Sequence, residues 1–120
     1  MNISNKIQSF LELSPLKYRF LEAFSLNRSV KKYSASDYQI EMTLINIEGE
    51  EIDAINIKFF NAVDIKIGDL NNIYAMQIEI DDISSNQLEG LKFRVTEQEN
   101  CGFSFSCEDF LVTRLRNGKE

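Results

Sequence analysis

The 120-residue sequence predicts a mainly β fold: an antiparallel sandwich or rolled sheet of about seven to eight strands with a short N-terminal helix. Three observations predict it. Apolar and polar residues alternate with period two through most of the chain, the mark of strands buried on one face. Turn sequences break that alternation about every 8–12 residues. The alternation is clean, which argues against a parallel sheet covered on both faces. The length fits one domain over residues 1–120, with a helical segment at 1–14 and an antiparallel body at 17–115.

The helix rests on Ile3, Ile7, Phe10 and Leu11, which share one face at 3.6-residue periodicity and stop before Pro15. Residues 17–26 follow, with Tyr18, Phe20, Phe24 and Leu26 on one side. Leu16, Phe20, Ala23 and Phe24 also fit a helix, but the aromatic content favours a strand. Tyr38, Ile40, Met42 and Leu44 alternate with Gln39, Glu41 and Thr43. The turn EGEE at 48–51 then leads into Ile52 to Phe60, giving a hairpin. Val63 to Ile67 is a separate short run before GDLNN, and Tyr74, Met76, Ile78 and Ile80 define the next strand.

DDISSNQLEG reads as a loop or one helical turn, with Ser84 or Ser85 as its cap. Strands resume at Leu91, Phe93 and Val95, turn through ENCG, and continue as Phe103 and Phe105. Phe110 to Leu115 forms the last strand or its continuation. Phe110 and Val112 fall on the opposite parity to Phe103, Phe105 and Cys107, so a bulge near Glu108–Asp109 is expected.

The two cysteines stand six residues apart around that Phe-x-Phe pair. An extended strand would separate them by about 20 Å, whereas a disulfide needs Cα atoms within about 7 Å. With no histidine in the chain, two distant thiols are also a poor zinc set. Cys107 therefore reads as core and Cys101 as a semi-exposed free thiol in a turn, consistent with a reducing compartment.

The same inventory narrows function. Without histidine there is no Ser-His-Asp or Cys-His arrangement. The five glycines stand singly at turns, so neither phosphate-binding glycine loop is present. Glu79, Asp81 and Asp82 cluster, but IDDISSNQ lacks calcium-loop spacing. No catalytic residue, cofactor or metal is expected. No apolar run is long enough for a membrane helix and no leader pattern opens the chain, so a cytoplasmic protein is expected.

Charge is sorted along the chain. Residues 1–36 hold six basic and two acidic residues (net +4), residues 37–112 four and sixteen (net -12), and residues 113–120 three and one (net +2). The acidic middle disfavours nucleic acid and favours a basic protein partner. Residues assigned to the wet face are the candidate contacts: Glu41, Glu48, Glu50, Glu51, Asp53, Glu79, Asp81, Asp82, Glu97 and Glu99. The basic stretch Arg28 to Tyr33 is too small to outweigh them and reads as a solvated loop.

Glu89, Gly90, Phe93, Val95, Phe103, Phe105, Cys107, Asp109 and Phe110, within residues 82–112, carry a resemblance. This segment resembles small bacterial β-rich proteins, some of them immunity proteins of polymorphic-toxin systems. The resemblance implies a compact, acidic, non-catalytic inhibitor that binds a toxin. Two other functions are expected alternatives: a structural or assembly subunit that homodimerises, and a small-molecule binder or unusual enzyme using carboxylates and Tyr18, Tyr33, Tyr38 and Tyr74.

Overall fold

A computed structural model describes residues 3–12, 17–46, 53–68, 76–83, 91–98 and 102–115. Helix α1 (Ile3–Glu12) is followed by β1 (Phe20–Asn27), β2 (Val30–Lys31), β3 (Ser34–Ala35), β4 (Tyr38–Asn46), β5 (Asp53–Ile67), β6 (Ile78–Asp82), β7 (Phe93–Glu97), β8 (Phe103–Cys107) and β9 (Asp109–Leu115). The main sheet runs β1-β4-β5-β8-β7-β6, with β9 also on β5, and every pairing is antiparallel. A two-stranded ribbon, β2-β3, stands apart.

The expected hairpin forms, with β4 and β5 paired from Asn46↔Asp53 to Tyr38↔Ala62. Its second arm is longer than the sequence pattern suggests. Residues 63–67 are not a separate run; they continue β5, which has 15 residues. Two bulges hide the continuity. Asn61 (φ 57°) and Asp64 (φ 54°) take the left-handed conformation, and the register slips beside each. Short polar side chains tolerate that conformation better than most, so the strand bends there and its side-chain parity breaks.

The break expected near Glu108–Asp109 is present. Cys107 and Phe110 are both buried, and the strand assignment is interrupted at Glu108, whose amide donates to Phe60 O at 3.0 Å. The β8–β9 run thus lies along the whole of bent β5. A third irregularity falls between Leu21 and Ala23 in β1. It turns Leu21 and Phe24 to the core and leaves Phe20 38% exposed, correcting the parity that placed Phe20 with Tyr18 and Phe24.

The sheet is rolled. Phe24 of β1 and Phe103 of β8 have ring centroids 5.5 Å apart although β4 and β5 separate their strands; three flat steps of sheet would span about 14 Å. At one end the outermost strands draw together, Met76 N donating to Arg19 O at 2.7 Å. Inside the roll, Phe59 packs edge-on against Phe105 at 5.0 Å, and Phe110 lies between Phe10, Phe59 and Phe93 at 4.9–6.2 Å. Helix α1 contributes Phe10 and Ile7 to this core, while Leu11, expected on the same face, is 57% exposed.

Cys107 is the small core residue the Phe-x-Phe parity demands. It is fully buried and unpaired, and burial pushes its thiol up to about 12. A thiol this far from its thiolate form is inert. In a Cys101→Ser background, maleimide should label Cys107 in the native protein only at the rate of unfolding and immediately in urea. Fast native labelling would refute the buried placement. Cys101 lies outside the described residues.

Candidate protein-binding surface

The six candidate carboxylates among the described residues do not form one patch. Glu79, Asp81 and Asp82 all lie on β6, the last strand of the sheet, and are exposed, with Glu79 and Asp81 on one side of the strand and Asp82 on the other. The ladder sets Asp81 opposite Arg94 and Glu79 opposite Thr96. Arg94 nevertheless turns toward β8 and β5, donating to Ser104, Ser106 and Asp64 at 3.1–3.3 Å. Glu79 accepts from Gln98 Nε2 at 2.6 Å. Acidic groups at the margin of a sheet also discourage unwanted strand pairing, so this edge is both negative and guarded.

Glu41 lies elsewhere, on β4, half-buried and accepting from Asn56 Nδ2 at 3.0 Å. Asp53 sits on the core parity of β5. Its carboxylate accepts from Tyr18 Oη and from Arg114, both at 2.8 Å, tying the approach to β1, the start of β5 and the end of β9 together. The Arg114 guanidinium holds the Asp53 carboxyl below the usual range. Burial and the same carboxylate push the Tyr18 hydroxyl above its ordinary value. A lowered carboxylate stabilises the fold above the ordinary Asp range and ceases to do so as pH falls through its folded value. The urea midpoint of the native protein should therefore exceed that of Asp53→Asn at pH 7, with the gap closing in acid below about pH 4. A gap independent of pH would contradict the pairing.

Glu97, expected on the wet face, is instead fully buried. It shares the parity of Phe93 and Val95, and its carboxylate accepts from the amides of Gly102 at 2.9 Å and Gln77 at 3.2 Å. It is an internal brace between the starts of β6 and β8, not a contact residue. Glu48, Glu50, Glu51 and Glu99 lie outside the described residues, as does Tyr74.

An open recess of about 420 Å³ adjoins Glu97, lined by Lys66, Ile67, Gly68, Thr96, Gln98, Phe103 and Ser104. Its buried carboxylate is engaged by backbone, and the aromatic core beneath is filled with touching rings, so no convergent polar site for a small ligand is built there. No cluster of three metal-ligating side chains occurs among the described residues.

The basic stretch is more ordered than a solvated loop. Residues 30–35 form the β2-β3 ribbon, paired Val30↔Ala35 and Lys31↔Ser34 around a Lys32–Tyr33 turn. Every residue of it is exposed. Tyr33, 94% exposed, has φ 86°, the second position of a type II turn, where Gly or Asn is normal. A bulky residue held there costs on the order of 1–3 kcal/mol. Nothing in the sequence signals this, because tyrosine is not a turn former.

Comparison with known proteins supplies what geometry leaves open. No curated relative and no solved structure matches the chain. A protein-family model, that of the immunity protein PIM8, matches residues 2–113, nearly the full length and well beyond the segment that carried the resemblance. A rolled antiparallel sheet, with surface carboxylates gathered on one strand, thus belongs to a chain that is a member of the PIM8 immunity protein family.

Proposed function

We propose that this protein is a non-catalytic inhibitor that neutralises one toxin by binding it in the cytoplasm, with the acidic β6 margin facing a basic surface of that toxin. Membership of an immunity protein family carries the reading, since such a protein acts on a protein partner. The sequence supports the remainder: net -12 over residues 37–112, and no histidine for acid–base work. Glu79, Asp81 and Asp82 are the side chains best placed to meet the partner. Charges of this kind accelerate encounter and select against wrong partners.

Stoichiometry is the test. The toxin captured with this protein as bait is titrated with the purified protein while toxin activity is followed. Inhibition should be complete at equimolar protein and proportional below it. Full inactivation by a small fraction of an equivalent would reveal turnover and contradict a binding mechanism.

A second reading, self-association, is favoured by one observation: β1 ends the sheet order and leaves Phe20 and Leu26 each 38% exposed. Sedimentation velocity over a wide concentration range should then show a dimer that Phe20→Lys abolishes. A monomer throughout would dismiss it.

A further inference from the structure

The acidic β6 margin leaves the most unusual surface feature of the molecule unexplained. The β2-β3 ribbon contributes nothing to the core, yet its base is braced on several sides. Ser36 N donates to Ser29 O at 2.8 Å, Ser29 N to Ser36 Oγ at 2.9 Å, and Arg28 Nε to Ser36 O at 3.2 Å. The Arg28 guanidinium also stacks 4.2 Å above the Tyr38 ring, anchoring the ribbon to β4. A two-pair ribbon needs such support to hold one orientation. At its tip stands Tyr33, almost wholly in solvent and in a backbone conformation that a glycine would adopt freely. Strain of this kind persists only where the surrounding structure holds it, and it concentrates at sites of binding and switching. Lys31 and Lys32 flank it, so with Arg28 three cations lie within six residues of a chain whose net charge is -6.

We infer that the β2-β3 ribbon is a second toxin-binding element, in which Tyr33 inserts into an apolar recess of the toxin rimmed by carboxylates that pair with Lys31 and Lys32. This rests on the proposed inhibitory role and adds a contact of opposite charge to the β6 margin. An exposed tyrosine among cations on a braced backbone is the kind of residue that dominates interface energetics, because the backbone beneath it is already ordered before binding. The charge identifies the recess: a basic toxin surface would repel this tip, and a purely apolar one would leave the lysines unmatched.

The backbone conformation provides a discriminating experiment. Tyr33→Gly removes the side chain and relieves the φ constraint together. It should melt at or above the native temperature yet bind the toxin domain at least about 30-fold more weakly by calorimetry. Tyr33→Phe should retain most of the affinity, and Lys31→Glu with Lys32→Glu should slow association. Tyr33→Gly binding with native affinity would overturn the inference even where Glu79→Lys with Asp81→Lys abolishes binding, leaving the inhibitory reading intact. Failure of the native protein to bind the toxin would sink both. Tyr33-dependent retention of a single-stranded oligonucleotide, with toxin affinity unaltered, would assign the ribbon to nucleic acid and refute the inference.

Discussion

Phe110→Ala should cost the protein about 3–5 kcal/mol, a large part of the stability of a domain this size. Phe110 is where the separate layers meet. Its ring touches Phe10 from α1, Phe59 from β5 and Phe93 from β7, three different elements. Truncation opens a void that three rings on different elements cannot fill by one shift, so the cavity contribution adds to the lost burial. Urea unfolding should show a much lower midpoint. Leu111→Ala, one residue along and 51% exposed, should stay within about 0.5 kcal/mol of the native value. Equal effects at the two positions would mean that the core does not converge on Phe110.

Glu97→Ala should destabilise by an amount approaching that, roughly 3 kcal/mol, although no apolar packing of comparable size is removed. The carboxylate accepts from the buried Gly102 amide and the half-buried Gln77 amide. Its loss leaves the buried Gly102 N–H without this acceptor, and an unsatisfied donor costs more than the bond it made. Glu97→Gln keeps the shape and one acceptor oxygen, so about half the loss is expected. Hydrogen exchange should locate the damage at the starts of β6 and β8. A neutral Glu97→Ala would return this residue to the surface, where its charge alone had suggested placing it.

How far the sequence could be read depended on whether alternation ran unbroken. Residues 38–46 alternate without a defect, and Ile40, Met42 and Leu44 are buried as expected. The β5 strand was harder, since its bulges at Asn61 and Asp64 flip the parity and make one strand look like two. Phe20 was assigned to the wrong face for the same reason. Glu97 shows a different limit. Its parity with Phe93 and Val95 points inward, but a carboxylate belongs inside only when backbone donors meet it, and those are set by the path of the chain at Gly102 and Gln77 rather than by the strand's own alternation.

The candidate surface was legible as charge but not as arrangement. Glu79, Asp81 and Asp82 fall within a span of four residues, so one strand carries all three. Glu41 and Asp53 were grouped with them only by sign; the rolled sheet holds one on β4 and spends the other on Tyr18 and Arg114. The Tyr33 tip depends on a backbone torsion that composition does not encode.

Under the proposed role, this protein disarms a toxin through contact between opposite charges. The decisive measurement is the affinity for that toxin as a function of salt, for the native protein and for Glu79→Lys with Asp81→Lys. Native affinity should fall steadily as salt rises. The charge-reversed protein should bind at least about 30-fold more weakly at low salt and respond less to added salt. Affinity indifferent to salt, and equal in the two proteins, would contradict the account.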